Sequence, residues 1–268
     1  MRNINLPWLT ALLALGTCGI IQEGVCASPV AQHLAPSGKL RAAINLGNPI
    51  LATRDAATGE VRGVSVDLAH ELAKRLDIPL EMVVYSAAGK VVEGLKSKEW
   101  DVAFVAIDPA RAVDIAYTAP YLVIEGAYLV RQDSPINTNA EVDRDGVRVV
   151  VGKGSAYDLY LAREIKKAQL VRAPTSPAVT DTMIAQGLEV AAGVRQQLEA
   201  DAKRIPGLRL LDGRFMVINQ AMAMPKGSDP GIRYLTDFVE EMKASGFIAK
   251  SLLRHGIEGA SIAAQLAH

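Results

Sequence analysis

The stretch Trp100–Tyr121, WDVAFVAIDPARAVDIAYTAPY, decides how the rest of the chain is read. Val102–Ile107 is an apolar run of strand length that ends in a polar turn carrying Asp108 and Arg111. Pro109 suits the first turn of a helix, because the N–H it lacks is one the helix does not use. On this reading Arg111 sits in that first turn, where free N–H groups and the positive end of a helix dipole meet a guanidinium whose planar fork fits a carboxylate. The turn is therefore a candidate anion site. The same residues also allow a plainer reading, in which Arg111 is a solvated surface charge paired with Asp108 or Asp114.

Working outward, strands and helices alternate on both sides. Upstream lie a strand at Leu40–Leu46, a turn region at Asp55–Gly63, and an amphipathic helix at Val64–Leu76 that Pro79 follows as a stop. A strand at Leu80–Tyr85 and a short helix at Lys90–Lys98 come next. Downstream, the polar segment QDSPINTN (Gln132–Asn139) reads as a linker, after which the pattern restarts. It runs through a strand at Val147–Val151, a loop at Gly152–Ser155, a helix at Tyr157–Lys167, a strand at Leu170–Val171, a helix at Ala178–Gln186 and a strand at Val190–Val194. The apolar run FMVINQAMAM (Phe215–Met224) precedes two last helices, Ile232–Ser245 and Ile248–His255. Alternation of this kind predicts an α/β fold, and the restart predicts two α/β units. Parallel strands separated by helices bind ligands at their carboxyl ends, the side on which Asn48, Lys90, Asp108 and Arg111 fall.

A second chemical stretch is GKGSAYD, Gly152–Asp158, set between a strand and a helix. Gly152 and Gly154 let backbone N–H groups face a ligand, and Ser155 brings a hydroxyl to the helix start. A Walker loop is excluded, since that needs Lys directly before Ser or Thr after a longer glycine spacing. A plain helix cap is the alternative reading.

Composition argues for an ordinary globular core. Half of the 268 residues are hydrophobic, and 29 basic residues balance 29 acidic ones, which with 5% aromatics gives no support for nucleic-acid binding. The N-terminal segment Met1–Ala27 reads as an export signal, with Arg2 as a basic head, Leu6–Ile21 as the apolar core and Val25-Cys26-Ala27 as the cleavage region before Ser28. A membrane anchor is the less favoured reading, because Gly16, Thr17 and Gly19 interrupt a run already shorter than the ~20 residues a span needs. Lipid attachment at Cys18 is another, with Thr17 a poor residue before the cysteine. Both cysteines, Cys18 and Cys26, lie in this segment, so a mature chain starting at Ser28 has neither disulfide nor thiol nucleophile. His33, His70, His255 and His268 are scattered and make no close metal-ligand pair, so neither a metal nor a cofactor is expected.

Five fragments in order, GKLRAAI at Gly38, GVSVDLAHELAKRL at Gly63, AIDPAR at Ala106, YTAPY at Tyr117 and GKGSAYD at Gly152, resemble the type II periplasmic solute-binding proteins that serve polar amino-acid ABC transporters. The match covers residues 38–248. It implies two lobes joined by a hinge of two crossing segments, placed near Tyr128–Gln132 and Asn219–Met222, with a signal peptide at 1–27, lobe one at 28–130 and 222–268, and lobe two at 131–221. It also implies a monomer in the periplasm that passes a small carboxylate-bearing ligand to an inner-membrane ABC permease. Ligand contacts are then expected at Asn48, Lys90, Ala106, Asp108, Arg111, Gly154, Ser155, Ala156 and Arg195, with Arg111 and Ser155 facing each other across the cleft.

The chain also departs from the family it resembles. The hydroxyl residues expected in the turn before the arginine are Ala106 and Asp108 here, and LGNPILA stands where an aromatic platform is usual. The acid that pairs a ligand's α-ammonium is replaced by Val194, with Arg195 next, in GLEVAAGVRQQL. An ammonium buried without a counter-charge costs several kcal/mol. Either Asp108 supplies that charge and an amino acid is admissible, or Asp108 orients Arg111 and the site suits a small organic anion. Two other functions on this fold remain open, a cyclohexadienyl-type dehydratase with Glu125 or Asp108 as general acid, and a ligand-sensing protein.

Overall fold

The central strand Val102–Ala106 is buried along its whole length, which is why its sequence is a continuous apolar run instead of an alternating one. Val102, Phe104 and Ala106 enter one hydrophobic cluster, while Ala103 and Val105 enter another with Trp100, Val91 and Ile115. The computed structural model describes residues 29–266. The signal-peptide reading of Met1–Ala27 and cleavage before Ser28 concern residues outside that range.

In chain order the first half comprises α1 (Pro29–Leu34), β1 (Leu40–Asn45), a two-stranded hairpin of β2 (Thr53–Arg54) and β3 (Val61–Arg62), α2 (Val64–Leu76), β4 (Leu80–Tyr85), α3 (Ala88–Lys96), β5 (Val102–Ala106) and the long β6 (Ile115–Arg131). There follow β7 (Arg148–Gly152), α4 (Ala156–Glu164), β8 (Gln169–Ala173), α5 (Val179–Ala185), β9 (Val190–Val194), α6 (Arg195–Arg204), β10 (Leu208–Leu210) and β11 (Met216–Pro225). The chain closes with α7 (Asp229–Ala244), α8 (Phe247–Arg254) and β12 (Ser261–Ile262).

Parallel strands β4, β1 and β5 form one end of the sheet and parallel β9, β7 and β8 the other, in the order β4-β1-β5-β11-β6-β9-β7-β8. Two α/β units lead one to expect two separate sheets. Hydrogen bonding is instead continuous over ten strands, because β6 and β11 belong to both halves. Strand β11 pairs with β5 from Gln220 to Ala223, whereas β6 pairs with β9 from Gly126 to Val130. The two long strands pair with each other from Met216↔Gly126 to Pro225↔Ile115, with register shifts around Gln220–Ala223. Pro120 lies opposite this irregularity, and the Met222 N–H finds the Thr118 hydroxyl oxygen at 3.2 Å in place of a regular ladder partner. Residues 130 and 221, the ends of the expected lobe segments, fall within these shared strands.

The sharp entry into α2 requires glycine. Gly63 has φ +140°, and a Cβ there would lie 2.4 Å from the Leu51 carbonyl oxygen.

The C-terminal segment, unexpected as a strand, lies along the crossing region: Ser261 and Ile262 pair with Val123 and Leu122. The buried Lys243 of α7 donates to the Ala264 carbonyl at 2.8 Å and pairs with Glu240 at 2.6 Å. Deleting residues 257–268 removes that acceptor and the β12 rungs, and is expected to cost about 1–3 kcal/mol. An unchanged urea midpoint of the truncated protein would refute this.

Candidate functional site

Arg111 follows β5 but does not open an α-helix. A single 3₁₀ turn, Arg111–Val113, is all that forms before the chain enters β6 at Ile115. Asp108 shapes the turn by accepting the Ala110 N–H at 2.8 Å, and the strand-forming segment that follows pulls the chain back into the sheet. The expected helix dipole at this point is therefore missing, and the positive potential comes from the guanidinium itself.

That guanidinium is buried, with Arg111 only 4% exposed. It donates to the Ala106 carbonyl at 3.0 Å and to the Gly154 carbonyl at 2.7 Å, while its Nε has no hydrogen-bond partner. No carboxylate bonds to it: Asp108 turns to Arg163 on α4, at 2.9 Å. Burial pushes the Arg111 pKa below its ordinary value, with Tyr117 and Asp108 acting in the opposite direction. Burial likewise raises the Tyr117 phenol to about 12, so it stays neutral at physiological pH. A buried cation held by neutral carbonyls is unfavourable by itself, and its free Nε–H gives an anion a place to bind.

Across from Arg111 stands the turn that ends β7. Ser155 is the N-cap of α4, its hydroxyl oxygen accepting the Asp158 N–H at 3.0 Å, so the plain-cap reading describes its local role. The hydroxyl proton faces the neighbouring Tyr157 phenol, so a ligand would have to draw it from there. Gly154 has φ +70°, and its N–H donates to the Asp158 carboxylate at 2.8 Å. A Cβ on Gly154 would lie 2.8 Å from the Gly89 Cα, which shows how closely α3 and this turn approach.

Between these elements lies a cavity of about 30 Å³. Its lining brings together Asn48, Ala106, Arg111, Ser155 and Ala156 from the expected set, with the Gly154 backbone bonded to Arg111. Such a volume holds one or two water molecules. As it stands the cavity has no room for a molecule of amino-acid size.

Lys90 and Arg195 lie away from this cavity. Lys90 is exposed on α3 and pairs with Glu93 at 2.6 Å. Arg195 pairs with Glu125 at 2.9 Å and donates to the Gly213 carbonyl. Asp108 neither pairs with Arg111 nor faces the cavity as a free acid, because Arg163 and the Ala110 N–H occupy its two oxygens. Glu125 is held by Arg214 and Arg195, which keep its carboxyl below the usual carboxylate range. A carboxyl in that state is a poor proton donor at neutral pH.

Four polar lining residues escaped the sequence reading: Asn45, Tyr157, Ser176 and Gln220. Gln220 is buried and its side-chain carbonyl oxygen has no partner. Its signal was available, a carboxamide inside the apolar run Ile218–Met224, and so was that of Asn45, which ends the buried strand β1. Among the described residues, no group of three or more His, Cys, Asp or Glu is placed to hold a metal ion.

Two parallel α/β ends joined by two shared strands, with a cation and a helix cap facing each other between them, define the two-lobed periplasmic-binding-protein architecture of type II. The chain belongs to the bacterial extracellular solute-binding proteins, family 3, whose model matches residues 40–256. Solved structures bear out the fold. A solute receptor for L-cysteine from Neisseria gonorrhoeae superposes with a TM-score of 0.74 at 21% identity, over 85% of this chain and 93% of the other. A mutant ArgBP from T. maritima gives 0.73 at 21% identity, covering 85% and 100%. An ancestral amino acid-binding protein, described as a precursor of cyclohexadienyl dehydratase, gives 0.71 at 19% identity, covering 83% and 97%.

Proposed function

We propose that this protein is the substrate-binding component of an ABC importer. It captures a small carboxylate-bearing solute, an amino acid or a related organic anion, between its two lobes and presents it to a membrane permease. The observation that carries the reading is the buried Arg111, whose Nε–H has no partner and whose guanidinium lines the interlobe cavity. The Ser155 hydroxyl would complete the carboxylate site from the opposite lobe. The backbone N–H groups expected to join it are engaged, since Lys153 donates to the Ala173 carbonyl, Gly154 to Asp158 and Ser155 to the Gly152 carbonyl.

Two shared strands suit a hinge. The crossings expected near Tyr128–Gln132 and Asn219–Met222 are drawn back to about Leu122–Gly126 and Met216–Gln220, because Gly126–Val130 already pairs with β9 and Gln220–Ala223 with β5. Rotation there would separate the lobes without breaking either end of the sheet. On this view Arg163–Asp108 is an interlobe latch that breaks on opening. The lobes are assigned to residues 28–130 with 222–268, and to residues 131–221. The protein acts as a monomer in the periplasm, exported by the segment 1–27.

Binding is favoured over catalysis by the cavity's chemistry. Its lining has no carboxylic acid and no histidine, so a dehydratase mechanism lacks its general acid there. The neighbour described as a dehydratase precursor keeps the question worth testing, and incubation of purified protein with prephenate should give no product.

Thermal-shift screening of the mature protein against amino acids and small carboxylates tests the main reading. A ligand at a hundredfold its Kd stabilises the folded state by about 2.7 kcal/mol. Once a ligand is identified, Ser155→Ala is expected to weaken it by about threefold to tenfold, since one neutral hydroxyl donor is lost while the Arg111 contact remains. Calorimetry would decide, and no change would place Ser155 in a capping role alone.

A further inference from the structure

The cavity's charge inventory is one-sided. Arg111 is its sole charged lining residue, and the remainder are neutral: Asn45, Asn48, Ser155, Tyr157, Ser176 and Gln220 are polar, while Val105, Val194 and Ile218 supply apolar wall. Each nearby acid is already paired. Asp108 is bonded to Arg163 and to the Ala110 N–H. Asp158 accepts from Arg172 at 2.9 Å and from the Gly154 N–H. Glu125 is shared by Arg195 and Arg214.

A zwitterion entering this cavity would neutralise Arg111 with its carboxylate and leave its own ammonium buried with no counter-charge, at a cost of several kcal/mol. A monocarboxylate leaves the cavity neutral. The acceptors on offer also suit a neutral group. Asn45 Oδ1 is engaged by the Gly47 N–H and Asn48 Oδ1 by the Ile50 N–H, while the Gln220 Oε1 and the Tyr157 hydroxyl are buried without a hydrogen-bond partner, both of them neutral groups. One carbonyl oxygen satisfies one hydroxyl, whereas an ammonium brings three protons and a full charge.

From these observations we infer that the ligand is a small monocarboxylate bearing a neutral hydrogen-bond donor, of the 2-hydroxy-acid class, and not a zwitterionic amino acid. The carboxylate pairs with Arg111 and its hydroxyl donates to Gln220. This rests on the reading of the interlobe cavity as the ligand site.

Calorimetry on the mature protein with matched pairs tests it. Each pair has one side chain and differs only in hydroxyl against ammonium: glycolate and glycine, L-lactate and L-alanine, L-2-hydroxyisovalerate and L-valine, L-2-hydroxyisocaproate and L-leucine. Arg111→Ala serves as the site control. The expected result is that in at least one pair the hydroxy acid binds tenfold or more tightly than its amino acid, and that Arg111→Ala removes this binding. An amino acid that binds as tightly as its hydroxy partner, or more tightly, in an Arg111-dependent way overturns the inference and leaves the carboxylate site standing. If no member of any pair binds, or binding is indifferent to Arg111→Ala, the carboxylate site itself is wrong and the inference falls with it.

Discussion

Arg111→Met is expected to weaken ligand binding by at least tenfold while leaving the ligand-free protein as stable as the wild type, or more so. The two effects have one cause. Arg111 is buried with neutral carbonyl partners and an unsatisfied Nε, so the free protein bears the desolvation of a cation that nothing nearby neutralises. On the proposed function a ligand carboxylate would supply the missing charge, and a charge-assisted hydrogen bond of that kind contributes ~1.5–3 kcal/mol. Methionine fills comparable space without a charge, and the relief of the cation's desolvation is set against the loss of its hydrogen bonds to the Ala106 and Gly154 carbonyls, about 1.5–3 kcal/mol each. Arg111→Lys keeps the charge and loses the planar fork, so it should restore only part of the affinity. Calorimetry and urea unfolding on the same preparations check both halves. Unchanged affinity in Arg111→Met with an intact fold would place the site elsewhere, and a large loss of stability would mean that Arg111 is structural.

Gly154→Val should have an effect of similar size by a different route. The residue sits at φ +70°, where a β-branched side chain is strained, and its added Cβ would meet Gly89 on the facing lobe at 2.8 Å. The lobes would be held ajar and the Arg111 bond to the Gly154 carbonyl lengthened or lost. Ligand affinity is expected to fall tenfold or more, and the compaction that ligand produces in small-angle scattering to disappear. Gly89→Leu separates wedging from backbone strain, because Gly89 lies in the first turn of α3, where leucine is the better helix former. It should reduce closure and affinity without the stability loss expected of Gly154→Val. Normal ligand-induced compaction in both variants would show that closure does not bring these two backbones together.

Much of this architecture is legible in the residues. The continuous apolar run Val102–Ala106, the amphipathic pattern of Val64–Leu76 and the restart after Gln132–Asn139 each follow from burial on one or two faces. Boundaries moved where local hydrogen bonding competes with propensity: α3 begins at Ala88, before Lys90, and α4 ends at Glu164, before Lys167. The tail strand β12 and the strand β10 were not legible, because Ser261–Ile262 and Leu208–Leu210 are too short to show a period and exist only by pairing with β6.

The chain alone determined which segments are strands and helices and which residue types stand near the carboxyl ends of the strands, since these depend on periodicity and on neighbours a few positions away. It also supplied the residues whose order marks the family. Charge partnership was beyond its reach. Whether Asp108 faced Arg111, a ligand or Arg163 turned on a contact between residues 55 positions apart, and the tertiary structure gave it to Arg163. The same holds for Arg195, drawn off by Glu125 70 positions away. An ion pair is chosen by proximity in space, so sequence names the candidates while only the packing of α4 against the Asp108 turn, and of α6 against β6, decides which charge is left free in the cavity.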